Sequence, residues 1–312
     1  RAPGKREAGE QVLFYKEQKI NLKPQERRVG YLFQNYALFP NMTVEENIRS
    51  GLKSHAQRTG LGSGKEKPMN REQQNARVDE MINRFQLSGL EKRYPGQLSG
   101  GQQQRTALAR ILAYEPRVLL LDEPFSAMDT YLREGLRLEL AKVLSSYEGA
   151  SVMVTHDRDE AYQLCDYLLL LDNGRVLTAG RTREIFQDPG TCQAARLTGC
   201  KNISSIEHLG AHQVRALDWD GLVLTVEKEV GPEITSIGIR AHDLEPVSDG
   251  EGINRIPVGN PSVTEMPFEW YVTLENGLWW KVEKTIHTHS SAGVIPEWLA
   301  VQPEAVLLLR DE

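Results

Sequence analysis

Residues 118–124 read VLLLDEP: four apolar side chains in succession, two carboxylates and a proline. The apolar run does not alternate, and a strand of that kind is covered on both faces, as in parallel sheets flanked by helices. Just upstream, Ala107, Leu108, Ile111 and Leu112 recur at helical spacing until Pro116 stops the pattern. Downstream come a predicted helix over about 131–146, a second apolar run, SVMVTHD (151–157), and a third, YLLLLDNGRVLTAG (167–180). The Asn173-Gly174 pair inside the third run is a strong hairpin signal. Farther upstream, RRVGYLFQ (27–34) is rich in β-formers and predicts a strand ending near Gln34. Thr43 ahead of Glu45 and Glu46 marks a helix start, and Val78, Met81, Ile82 and Phe85 predict an amphipathic helix from Arg71. The polar, Gly-rich stretch between them, 53–70, reads as an exposed loop. Strand, helix, strand order with buried strands predicts an α/β layer architecture through about residue 190.

Beyond Gly199 the texture changes to short β-like pieces, among them LVLTVE (222–227), SIGIRA (236–241), LWWKVEK (278–284) and AVLLLR (305–310), broken by Gly, Pro and Asn. They predict a small all-β domain, a barrel or sandwich, and divide the chain into 1–195 and 196–312. A length of 312 residues with 40% hydrophobic content supports two such cores. The net charge of −6 gives no general attraction to nucleic acid or an anionic membrane surface. Cys165, Cys192 and Cys200 have no metal-ligand spacing, and so sparse a set predicts reduced thiols in a cytoplasmic protein. The longest apolar runs are far short of the roughly 20 residues a membrane-spanning helix needs, so a membrane role would come through a partner.

Three pieces offer chemistry on their own. In LSGGQQQR (98–105), Ser99, Gly100 and Gly101 stand before a helix, where backbone N–H groups favour an anion, although a serine there is commonly just an N-cap. Asp122 and Glu123 end a buried strand, where one carboxylate can hold Mg²⁺ and its neighbour can orient or deprotonate water. His156-Asp157 could form a metal pair, but no second cluster completes a site, and a lone strand-end histidine is commonly structural.

Together with FQNYALFP (33–40), and in this order and spacing, these pieces resemble the ATP-binding subunit of ABC transporters over about residues 10–190. Gln34 matches the Q-loop, LSGGQ the signature, VLLLDE the Walker B motif, SAMD (126–129) the D-loop and His156 the switch histidine. Met128 stands where the family often has leucine, a change that conserves volume. The resemblance implies an ABC-type P-loop NTPase fold with a helical subdomain, followed by an OB-like or TOBE-type accessory domain. It further implies ATP and Mg²⁺ as cofactors and two domains meeting head to tail, so that Ser99, Gly100, Gly101 and Gln102 close over the partner's nucleotide. Glu123 would be the general base and His156 would contact the γ-phosphate. Asp122 would serve Mg²⁺ through its shell, Gln34 would sense Mg²⁺ and water, and Asp129 would bridge the subunits.

The phosphate-loop pattern G-x-x-x-x-G-K-[ST] is absent. Gly4-Lys5 is followed by Arg6, and Gly64-Lys65 is followed by Glu66 on the wrong side of Gln34. By the family layout the loop would end slightly upstream of Arg1. We therefore expect a truncated piece of a full ATPase, which alone hydrolyses ATP negligibly; the alternative is a degenerate, non-hydrolysing subunit. Tyr36, Leu38 and Phe39 resemble the groove that receives a permease's coupling helix, with local core packing as the alternative reading. TGCKNISSIE (198–207) and GIRAHDLEPV (238–247) resemble the β-domain of importer ATPases, most nearly the molybdate/tungstate and sulfate branch. That branch implies a homodimer on the cytoplasmic face, integral-membrane permease subunits and, indirectly, an external solute-binding protein, with no nucleic acid. Its β-domain can bind oxyanion, for which Lys201, Asn202, Ser204 and Arg240 are the candidates, or else they are turn and surface residues. Polyamine, sugar and ferric-iron importers remain alternatives. Chromosome-structuring ATPases share the motifs but insert coiled coils or zinc modules, for which this chain has neither heptads nor cysteine pairs.

Overall fold

The computed structural model describes residues 5–8, 11–23, 27–56, 69–126, 130–284 and 295–311. Both Gly-Lys decoys, residues 4–5 and 64–65, fall wholly or partly outside these, as do Met128 and Asp129. The chain packs as two units, Arg1–Leu164 and Cys165–Glu312.

In the first unit, strands β1 (Lys5–Ala8), β2 (Gln11–Tyr15) and β3 (Ile20–Asn21) form an antiparallel meander. There follow β4 (Val29–Leu32), α1 (Val44–Ala56), α2 (Arg71–Arg84), α3 (Gly100–Leu112), β5 (Val118–Asp122), α4 (Thr130–Ser145), β6 (Ala150–Val154) and α5 (Arg158–Leu164). Strands β4, β5 and β6 make a parallel sheet in that order. Its register sets Leu32 beside Leu121 and Leu121 beside Met153, so Gln34, Glu123 and His156 all leave the sheet at one edge.

The helices start where local chemistry allows. Thr43 Oγ1 accepts the Glu46 N–H at 3.3 Å while Glu46 Oε2 accepts the Thr43 N–H at 2.8 Å. Asn70 and Gln73 exchange the same pair of bonds at the start of α2. Such capping boxes satisfy N–H groups that the first helical turn leaves without partners. The core joins Leu32, Val44, Ile48, Val78, Met81, Ala107, Leu108, Ile111, Leu119, Leu121 and Phe125, which includes the apolar stripes expected for α2 and α3. Helix α1 runs to Ala56, into the stretch read as a loop, and Asn70 at its other end caps α2.

One expectation changes. Strand β5 is covered at Leu119 and Leu121, but β6 leaves Val152 and Val154 54% and 58% exposed. An apolar run reports that both faces of a strand are hydrophobic, and it carries no information about which element lies against each face.

In the second unit, β7 (Tyr167–Asp172) and β8 (Arg175–Arg181) form the expected hairpin. Asn173 (φ 46°) and Gly174 (φ 75°) make its two-residue turn; two successive positive φ values match the twist of the flanking strands, and glycine adopts one at no steric cost. Two short helices follow, α6 (Thr182–Gln187) and α7 (Cys192–Leu197). The remainder is β-rich, as the sequence texture indicates. Strands β9 (Asn202–Gly210), β10 (Gln213–Ala216), β11 (Leu222–Thr225), β12 (Ser236–Ile239), β13 (Glu245–Val247), β14 (Arg255–Pro257), β15 (Ser262–Glu265), β16 (Glu269–Thr273), β17 (Trp279–Glu283), β18 (Trp298–Ala300) and β19 (Leu307–Leu309) build three antiparallel sheets. The sheets run β11-β10-β9-β12-β19, β13-β18-β14 and β15-β16-β17, and they share one core containing Trp219, Ile237, Ile239, Ile256, Trp270, Trp280 and Leu299. This unit also takes in the hairpin and α6–α7, which the sequence division assigns to 1–195.

Candidate functional site

The C-terminal edge of a parallel sheet is where ligands bind in open α/β folds, and here three side chains distant in sequence meet on one carboxylate. Gln34 Nε2 donates to Glu123 Oε2 at 3.1 Å. His156 Nδ1 lies 3.2 Å from Glu123 Oε1. An ionised carboxylate only accepts, so His156 carries its proton on Nδ1 in this pairing. The next carboxylate along, Asp122, accepts the Tyr31 hydroxyl on Oδ2 at 2.8 Å. That hydrogen bond, before burial or charge, raises the Tyr31 pKa above its ordinary value.

The backbone at Glu123 is held out of its preferred region, with φ 43°. A non-glycine residue there costs on the order of 1–3 kcal/mol and persists only where its surroundings fix it. Here the Glu123 N–H donates to Val154 O at 2.9 Å, and Ser126 donates to Glu123 O through both N–H (3.2 Å) and Oγ (3.0 Å).

The loop after Gln34 has two consecutive left-handed residues, Tyr36 (φ 60°) and Ala37 (φ 44°). Arg110 of α3 clamps it, donating to Ala37 O at 2.7 Å and Tyr36 O at 3.0 Å. Burial lowers the Arg110 pKa from its ordinary value. Of the three apolar residues of this loop, Tyr36 is buried in the core, Leu38 packs partly against it, and Phe39 stays 48% exposed with the Arg110 guanidinium 5.4 Å from its ring centre.

Ser99 is the N-cap of α3. Its Oγ accepts the Gln102 N–H at 3.4 Å, while Gln102 Oε1 accepts the Ser99 N–H at 3.0 Å. Gly100 and Gly101 open the helix, with Gly101 buried. These four residues form their own group, apart from the hydrogen bonds around Glu123. Asp129 lies outside the described residues.

Sequence reasoning missed four supporting residues: Tyr31, Asn47, Gln104 and Arg110. Gln104 is 1% exposed, and its Nε2 donates to Pro124 O at 3.1 Å, tying α3 to the turn that carries Glu123. It shares the helical stripe of Ala107, Leu108 and Ile111, so a polar residue on an apolar face was the available signal. Asn47, fully buried, accepts the Phe39 N–H and donates to the carbonyls of Phe39, Met42 and Thr43.

The four candidate anion ligands of the β-rich unit are all engaged within the chain. Asn202 exchanges two 2.8 Å bonds with the Trp279 backbone. Ser204 donates to Ser205 O and accepts the Asp218 N–H. Arg240 donates to Thr198 O at 2.8 Å and to Phe186 O. Lys201 sits 4.8 Å from the Trp279 ring centre and 5.5 Å from that of Tyr271. Asn202 and Ser204 are buried within β9, Arg240 is half-buried, and Lys201 is exposed, so the first two are structural groups of the strand and not the turn and surface residues expected.

Comparison with known proteins assigns the sequence to a family. A family model described as ABC transporter matches residues 5–126. A sulfate/thiosulfate import ATP-binding protein, CysA, of Xanthomonas campestris pv. campestris is 41% identical over 245 residues, covering 78% of this chain and 67% of its own length. Its namesake in Nitrosomonas europaea is 39% identical over 236 residues, covering 75% and 62%. A solved structure, the ATP-binding cassette MJ0796 in a dimeric post-hydrolysis state bound to ADP and Pi, has 32% identity over 52% of this chain and 68% of its own, with a TM-score of 0.42. The first unit is an α/β fold in which Gln34, Glu123 and His156 meet at the C-terminal edge of a parallel sheet. The chain belongs to the ABC transporter family of ATP-binding proteins. It spans about three fifths of the length of the first of the curated relatives it matches.

Proposed function

We propose that the chain is part of an ATP-hydrolysing subunit that powers uptake of an oxyanion through an ABC importer. The observation that carries this reading is the Glu123 carboxylate, which holds Gln34 on one oxygen and His156 on the other. A base that must take a proton from water needs neighbours that fix its direction and contact the group under attack, and hydrolysis of this kind depends mainly on such positioning. The relatives' names narrow the oxyanion from molybdate/tungstate or sulfate to sulfate or thiosulfate.

In this reading Glu123 is the general base. His156 keeps Nδ1 on Glu123 and turns Nε2 to the γ-phosphate. Ser99 only accepts within its capping box, so its hydroxyl proton remains for a phosphate oxygen, beside the N–H groups of Gly100 and Gly101; Gln102 holds the serine in place. Asp129 bridges to the second subunit. Asp122 and Gln34 supply the hard oxygen atoms that suit Mg²⁺, and one or two protein ligands suffice where the nucleotide supplies the rest. Among the described residues no group of three or more His, Cys, Asp or Glu forms a closed metal cage. Mg²⁺ bound there would neutralise charge developing on the phosphates.

Two copies would meet head to tail beneath a permease, with Phe39 and its neighbours receiving a cytoplasmic helix of that partner and an external solute-binding protein acting at a distance. No helix among the described residues is long and apolar enough to cross a membrane, which suits a subunit carried at the cytoplasmic face by its partner. Functionally we retain 1–195 as the ATP-binding domain and 196–312 as a TOBE-type accessory domain.

The test is uptake of labelled sulfate, thiosulfate, molybdate and spermidine by the reconstituted transporter. We expect ATP-dependent sulfate or thiosulfate uptake that Glu123→Gln abolishes. Uptake of spermidine alone would overturn the solute assignment.

A further inference from the structure

One buried carboxylate near this edge takes no part in the site described above. Glu160, in the first turn of α5, is 4% exposed. Its Oε2 accepts the Thr155 hydroxyl at 2.5 Å. Thr155 Oγ1 in turn accepts the Asp157 N–H at 3.0 Å, closing a small ring around His156, the residue between them. Asp157 Oδ1 accepts the N–H groups of Asp159 (2.8 Å) and Glu160 (3.1 Å), and its Oδ2 lies 3.7 Å from Arg133 of α4. Both chain neighbours of His156 are therefore fastened, one to a buried carboxylate and the other to the start of a helix.

Such a carboxylate is costly to bury, and an apolar side chain would fill the same space without that cost. Burial raises the Glu160 pKa above the usual carboxylate value, while the Thr155 hydrogen bond and then Arg133 and Arg137 of α4 pull the other way. What an apolar residue could not provide is an acceptor for the Thr155 hydroxyl. With that acceptor in place the hydroxyl proton is committed, and the oxygen's lone pairs face the Asp157 N–H.

We propose that Glu160 is a positioning residue for His156: through the Thr155 hydroxyl it fixes the 155–157 turn, so that the imidazole keeps Nδ1 against Glu123. Its functional meaning rests on the reading of His156 given above, but the coupling is a property of the chain without nucleotide.

The test uses the 312-residue chain with isotope-labelled histidine, free of nucleotide, the His156 ring signals being assigned by their loss in His156→Gln. Thermal unfolding is followed in parallel. We expect Thr155→Val and Glu160→Ala to shift the His156 Nδ1 resonance toward that of a freely exposed imidazole. Thr155→Ser should restore the wild-type position, and Glu160→Gln, whose amide oxygen still accepts, should retain it. An unchanged His156 resonance in folded Thr155→Val and Glu160→Ala would overturn the proposal, as would equal shifts in the Ser and Val variants. Where Glu160→Ala does not fold, the near-isosteric Thr155→Val decides. Because no ATP is present, failed transport would sink the importer reading and leave this result standing, and the converse holds equally.

Discussion

Glu123 concentrates the site into one side chain, so its replacement separates chemistry from structure. Glu123→Gln keeps an acceptor for Gln34 and its own strained backbone, but it cannot take a proton. General bases contribute roughly 10²–10⁴-fold to rate, and we expect a loss of that order in kcat for ATP hydrolysis by the assembled transporter, with little change in KM. A rise in KM with kcat unchanged would mean that the carboxylate binds rather than reacts. Asp122 can be probed through its partner. The Tyr31 phenol is raised above its ordinary 10.0 chiefly by the hydrogen bond to Asp122, so Asp122→Ala should return Tyr31 toward that value in a tyrosine NMR titration. A Tyr31 midpoint that stays where it was would place the cause elsewhere. Glu123, Gln34 and His156 were legible only through the joint resemblance of four motifs, in their order and spacing, to ABC transporter ATP-binding subunits, since each residue alone reads equally well as structural. Tyr31 was not, since a tyrosine alternating along a β-run looks the same whether it faces solvent or a carboxylate 91 positions away.

Among the elements, α1 and α3 lie so close that only glycine fits between them. A Cβ on Gly51 would stand 2.2 Å from the carbonyl oxygen of Arg110. The obstacle is backbone, so the helices themselves would have to part. Gly51→Ala should therefore destabilise the first unit by about 1–3 kcal/mol, despite alanine's better helix propensity, and it should loosen the Arg110 clamp on the loop after Gln34. Urea unfolding checks the first effect, and amide exchange at residues 36–38 checks the second. On α1, Glu45 bridges Lys92 and Arg49 at 2.8 Å each, and these partners lower its pKa below 4.5. A carboxylate with a depressed folded value adds stability above its unfolded pKa and loses it as pH falls through the folded one. The gap between wild type and Glu45→Gln should accordingly be present at neutral pH and should close as pH falls through the folded-state midpoint, which lies below 4.5. A gap that persists below the folded-state midpoint of Glu45 would assign the effect to packing. Long helices and the β7–β8 hairpin could be read in advance because their periodicity and turn chemistry are local. Three-residue strands such as β13, β14 and β18 could not, because they contain too few residues to show alternation and exist only through pairing with distant partners.

For the whole chain, the open question is where one folding unit ends and the next begins. Sequence texture puts the division at 195/196, because texture registers the change from helix-and-strand spacing to short β pieces. Packing divides at Leu164/Cys165, because segments before residue 196 are bonded into the β-rich core. Cys192 and Ala195 of α7 share a small cluster with Cys200 and Leu309. Burial in this region pushes the Cys200 thiol up to about 11, which keeps it protonated and unreactive at neutral pH. Thr191 bridges to Arg310, the Cys192 N–H donates to Arg310 O at 3.1 Å, and Arg240 reaches back to the carbonyls of Phe186 and Thr198. Removing residues 165–195 would take the Phe186 carbonyl from Arg240, which keeps Thr198 as a partner, and would strip Cys192 and Ala195 from the cover over Cys200. A fragment of residues 165–312 should thus unfold cooperatively, with near-ultraviolet dichroism from the buried Trp219, Trp270 and Trp280. A fragment of 196–312 should be less stable, and its Cys200 should react readily with a thiol reagent. Equal stability and equal thiol protection in the two fragments would show that the β-rich core closes without α7, and that the change in sequence texture marks the true boundary.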